Sequence, residues 1–177
     1  MQLLTNLGFV ESLQRMPIYC LALLSLFCIS CSSTKQPEPA IDAVTIVDIR
    51  PRYIPGEHFK RVSEYMTGRE QLGKRILIRS DPEERSGYYF VLILDRHWRE
   101  LPPGSYIVGE FYTPHSLEQQ TLRFEFPSQL PKNKELFIGL TGRDWPDPDA
   151  VPAAWQFTVK QANGKVLATR KSYLWKL

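Results

Sequence analysis

Residues 87–94 read GYYFVLIL, and the only polar atoms among their side chains are two tyrosine hydroxyls. A strand that buries one face alternates apolar with polar residues, whereas a run apolar on both faces belongs inside a packed structure. Eight residues suit a strand better than a buried helix. The stretch therefore predicts a central strand buried on both sides, or a long strand at the core.

The rest of the chain follows the same grammar, short apolar or aromatic runs broken by Pro, Gly, Asn and Asp. Residues 43–49 (AVTIVDI) and 74–79 (KRILIR) are two such runs. Residues 106–112 follow the turn Leu101-Pro-Pro-Gly104. Residues 121–126 alternate cleanly, with Leu122, Phe124 and Phe126 predicted to face inward and Thr121, Arg123 and Glu125 outward. Residues 135–140 form another run. Trp155, Phe157 and Val159 alternate with polar neighbours, and Asn163-Gly164 then signals a hairpin into a last strand over 166–175. No long amphipathic helix appears. Residues 57–66 fit a helical face through Phe59, Val62 and Met66, and equally a strand face through Phe59, Arg61, Ser63 and Tyr65. The pattern predicts an all-β chain, an immunoglobulin-like β-sandwich of about eight strands, with a small β-barrel as the alternative.

All three cysteines, Cys20, Cys28 and Cys31, lie in the first 31 residues. The apolar run 18–29 is shorter than the ~20 residues a spanning helix needs, and reads as the apolar region of an export signal. Arg15 precedes it, offset by Glu11, and Met16 is an alternative start to Met1. The order Cys28-Ile29-Ser30-Cys31 resembles the lipobox of bacterial lipoprotein precursors, with Cys28 where leucine is usual. The resemblance implies cleavage before Cys31 and acylation of Cys31. It divides the chain into a signal peptide (1–30), a lipidated cysteine with a flexible tether (31–41) and one β-sandwich domain (42–177). Residues 32–39 have no apolar side chain and two prolines, as an extended spacer should. The mature domain then has no thiol and rests on its core without disulfides. Two or more acyl chains give stable anchoring. Ser32 after Cys31 points by the enteric sorting rule to the outer membrane, with the domain facing the periplasm or the exterior.

Net charge is +3, with the signs interspersed rather than gathered in a stripe, which argues against nucleic acid as a partner. No catalytic signature stands out. His58, His97 and His115 have no metal-ligand spacing, so no metal is expected. No serine sits in a nucleophile elbow, and Gly139-Leu-Thr-Gly142 lacks the ending of a phosphate loop. Glu83-Glu84 reads as an exposed turn. The most unusual segment is 141–152, TGRDWPDPDAVP, longer than a hairpin needs. Its Arg143, Asp144, Trp145, Asp147 and Asp149 form the candidate binding loop. Trp145, with Trp98, offers a surface for a sugar ring or a partner side chain. The aspartates lack the glycine and closing glutamate of a calcium loop, and a proline-braced loop with Trp145 capping the core is the structural alternative. The arginines at 69, 75, 79 and 85 suit an anion, but are read as ion-paired with Glu64, Glu70 and Asp81.

These readings converge on a non-catalytic, cofactor-free binding or assembly module, held at the membrane by its lipid and meeting an envelope protein or glycan. A carbohydrate-binding or carbohydrate-active module using Trp98 and Trp145 is the alternative, and a purely structural tethered domain the third. The lipobox predicts acyl mass at Cys31 and partition into a detergent phase, both lost in Cys31→Ala. Intact mass and phase separation of the two proteins check this, and an unmodified soluble wild type would refute it.

Overall fold

The computed structural model describes residues 43–114, 116–145 and 147–176. The signal and tether readings and Cys31 lie outside them, as do His115 and Pro146. Eight strands are present: β1 Ile46–Ile54, β2 Ile76–Arg79, β3 Gly87–Leu94, β4 Tyr106–Thr113, β5 Ser116–Glu125, β6 Glu135–Thr141, β7 Ala154–Lys160 and β8 Val166–Lys171. One short helix, α1 Val62–Thr67, lies between β1 and β2. The strands form two four-stranded sheets, ordered β1-β3-β6-β2 and β5-β4-β7-β8. Neighbours run antiparallel except β2 and β6, which are parallel. No pairing among the described residues joins the sheets, so the fold is an open sandwich and not a closed barrel.

The core lies between the sheets. Tyr88, Phe90, Leu92 and Leu94 of β3 point into it with Leu136, Ile138 and Leu140 of β6. Phe111 and Phe157 of the second sheet close over them, their ring centroids 5.4 and 4.9 Å from that of Phe90. The other face of β3 is buried too. Tyr89 and Val91 pack with Ile54, Phe59 and Phe137 in a separate cluster on the outside of the first sheet. The reading of 87–94 as a strand buried on both faces thus holds, and Phe59 is the side chain that covers the second face. Tyr89 stands opposite Gly139, and its ring occupies the place of a β-carbon there: one built on Gly139 would come 2.4 Å from the ring.

Several boundaries differ from the sequence reading. β1 runs past Ile49 to Ile54 through Pro51, which an edge strand tolerates because its outward N–H is not needed for pairing. β8 stops at Lys171, and Tyr173–Lys176 form a 3-10 turn. Trp175 therefore lies outside the strand, half-buried beside Tyr112 at 5.4 Å. The open segment 57–66 is neither a long helix nor a strand: Gly56–Phe59 make a 3-10 turn and α1 begins at Val62. The hairpin signal at Asn163-Gly164 is correct, with Gly164 at φ 86° between the antiparallel β7 and β8. The side chain of Arg170 on β8 donates to the carbonyls of Ile46 and Val47, capping part of the β1 edge.

Phe90 is fully buried and touches rings of both sheets. Phe90→Ala is expected to cost about 3–5 kcal/mol of stability, read from denaturant midpoints. A loss under about 1 kcal/mol would show that the core is not organised around this ring.

Candidate functional site: the outer face of the first sheet

The connection from β1 to β2 does not take the short route. It lies across the outer face of the first sheet and drives Phe59 onto Tyr89, with centroids 4.8 Å apart. Polar contacts hold it there. Gly56 N–H donates to Ser86 Oγ at 2.9 Å. Arg79 of β2 grips Glu70 with two parallel bonds of 3.2 and 2.8 Å, the bidentate geometry that makes arginine–carboxylate pairs strong. Arg85 reaches Glu64 of α1 at 2.6 Å and Glu70 at 3.5 Å. The Arg85 guanidinium holds the Glu64 carboxyl below its ordinary range, helped by the Gln71 N–H. Hydrogen bonding to Glu64 raises Arg85 in turn. Beneath the clamp, Tyr89 donates its hydroxyl to the Arg85 carbonyl at 2.6 Å, and burial pushes its phenol up.

Of the arginine cluster, Arg79 and Arg85 are ion-paired through Glu64 and Glu70, as the sequence suggested, whereas Arg69 and Arg75 make no ion pair among the described residues. Asp81 is not part of it. Its backbone is tied to Thr141 and its carboxylate accepts the Glu83 N–H.

Beside this clamp a cavity of about 270 Å³ opens to solvent. Ile54, Phe59 and Phe137 are buried and give it an apolar base, while Arg52, His58 and Arg75 on its lining are exposed. Among the described residues the Arg75 guanidinium donates only to the His58 carbonyl, at 3.5 Å, and no ion pair involves Arg52 or Arg75. Cationic side chains without acidic partners, next to apolar surface, suit an anionic group carrying an apolar body.

The predicted loop residues are placed differently from one another. Trp145 is 3% exposed, its ring 4.8 Å from Tyr88, and its indole N–H is buried without an acceptor among the described residues. Trp98 is fully buried, donates to the Lys134 carbonyl at 2.8 Å and packs on Phe126. Trp98 follows the C-terminal end of β3 and contacts the start of β6, whereas Trp145 follows the end of β6. The strand length between those ends is ~20 Å. The two rings share no surface, and neither faces solvent. Arg143, Asp144 and Asp149 are exposed, and Asp147 Oδ1 accepts the Asp149 N–H at 2.9 Å. Asp144 and Arg143 border a shallow depression with Ser80 and Thr141. Among the described residues no cluster of His, Cys, Asp or Glu could hold a metal ion. No helix among them is long and apolar enough to cross a membrane.

Sequence reasoning passed over the groove. A usable signal existed: residues 50–75 hold seven basic residues and three acidic ones, a local net +4 in a chain of net +3. No family model, curated relative or solved structure matches the chain.

Because Glu64 is held below its ordinary value, its ion pair stabilises the clamp above pH 4.5 and is lost as pH falls through the lower folded value. Glu64→Gln should therefore speed hydrogen exchange at Gln71 near neutral pH, and wild type should converge on the variant in acid. Equal exchange at neutral pH would show that the clamp does not hold the segment.

Proposed function

We propose that this protein is a membrane-anchored lipoprotein of the bacterial cell envelope, acting as a non-catalytic binding or assembly module. The anchor rests on the lipobox-like run ending at Cys31. The groove on the first sheet's outer face is its binding surface, and the partner is an envelope protein presenting an acidic side chain beside an apolar one. The observation that carries this is the set Arg52, His58 and Arg75 exposed beside Ile54, Phe59 and Phe137, with Glu64 and Glu70 already committed to Arg79 and Arg85. We further infer an immunoglobulin-like topology. With β2 set aside, the orders β1-β3-β6 and β5-β4-β7-β8 correspond to the A-B-E and C′-C-F-G arrangement of such sandwiches. β2 takes the place of strand D beside E, but runs parallel to its neighbour.

p-Benzoylphenylalanine in place of Tyr53, which lines the groove, is expected to crosslink one envelope protein in intact cells. Arg52→Glu combined with Arg75→Glu should weaken that capture tenfold or more, matching the roughly 1.5–3 kcal/mol of a hydrogen bond to a charged group. Capture unchanged by the double reversal would sink the groove as the binding surface. Capture of glycan instead would move the reading to a carbohydrate-binding module.

A further inference from the structure

α1 buries none of its six residues. Val62, Tyr65 and Met66 are 82%, 78% and 85% exposed. They fall at i, i+3 and i+4, the spacing that normally turns one helical face to a core. Among the described residues that face has no core to meet, because from this segment it is Phe59 that is buried on the sheet beneath. Lys60, Arg61 and Arg69 flank the triad, all exposed and without ion pairs among the described residues. Of the nearby acids, Glu64 and Glu70 face Arg79 and Arg85, and Glu57 is exposed one turn away.

We propose that α1 is an interfacial anchor that sets its own part of this face, distinct from the groove, on an anionic lipid surface. Val62, Tyr65 and Met66 enter the boundary between headgroups and acyl chains, and Lys60, Arg61 and Arg69 meet the lipid phosphates. Two independent features point to lipid rather than to a protein. Three side chains on a helix of under two turns offer far less than the ~800 Å² per partner of a stable protein interface. A small apolar tip beside cations that make no ion pair among the described residues needs no shaped complement, and a fluid anionic bilayer supplies none. The proposal deepens the membrane-anchored reading and rests on it for the presence of a bilayer. It adds an orientation: the tether holds the domain near the membrane, and α1 decides which face lies on it.

The test is a nitroxide at position 65 in the full chain, made by Tyr65→Cys with Cys20→Ser, Cys28→Ser and Cys31→Ser. A second label through Thr121→Cys, exposed on the other sheet, is the control. On vesicles of equal parts phosphatidylcholine and phosphatidylglycerol, the label at 65 should gain oxygen accessibility and lose accessibility to a water-soluble nickel chelate. The label at 121 should do neither. Vesicles of phosphatidylcholine alone should leave both in water. Arg61→Gln and Arg69→Gln should each lower the bound fraction's partition coefficient about fivefold, from ~1 kcal/mol per cation near an anionic surface. A label at 65 that stays in water on anionic vesicles overturns the proposal, even if the apolar N-terminal run attaches the chain to them. So does equal insertion into both vesicle types, because the cations would then play no part. Neither result bears on lipidation, which intact mass at Cys31 decides separately.

Discussion

Burial of β3 on both faces is the constraint on which the rest of the structure depends. Inward, Phe90 and its neighbours meet the second sheet. Outward, Tyr89 and Val91 have no second sheet to meet, and leaving them bare would forfeit about 25 cal/mol for each Å² of apolar surface. The chain solves this with the connection from β1 to β2. That segment is too polar to be a core layer and inserts one large apolar residue, Phe59. What keeps Phe59 in place is electrostatic: Arg79 and Arg85, projecting beside the sheet, hold Glu70 and Glu64 of the segment. These pairs are partly buried, so they are less screened than surface pairs and depend on geometry, which the bidentate Arg79–Glu70 contact supplies.

This solution has a consequence for the surface. Residues 50–75 carry seven basic and three acidic side chains. Two of the three acids are drawn inward to make the clamp, and the arginines they pair with belong to β2 and the loop that follows it. The cations of the segment itself, from Arg52 to Arg75, are left facing water. Holding the cover on the sheet and creating a basic face are thus the same event. The groove and the exposed side of α1 both inherit that charge.

The parts of the fold legible in the sequence were those governed by period and turn chemistry. The GYYFVLIL run, the 121–126 alternation and Asn163-Gly164 each lie where local pattern and tertiary packing agree. The parts not legible were those decided by a distant partner. Phe59, Val62 and Met66 have helical spacing, yet Phe59 is buried by Tyr89 and the other two are bare. No local signal distinguishes them. Pro51 concealed the second half of β1, because its tolerance depends on β1 being an edge. Trp98 and Trp145 drew notice as aromatic residues in loops, but each finds core neighbours, Phe126 and Tyr88, that lie far away in sequence. The groove was hidden because its charges matter only once Glu64 and Glu70 are known to be occupied.

The outer face of the second sheet strengthens the case for locating recognition on the first. There Glu110 accepts from both Gln119 and Gln156 at 2.8 Å, and Thr169 bonds Thr158. Arg123 pairs with Glu125 and lies 3.6 Å over the Tyr106 ring. A partner settling on that carpet would have to break contacts already made. On the first sheet the balance is reversed. Arg52 and Arg75 have no acid to give up among the described residues, and Val62, Tyr65 and Met66 are largely exposed. Two faces of one sandwich, built from the same strand grammar, therefore differ in what association would cost them, and the lower cost lies on the side that carries Phe59.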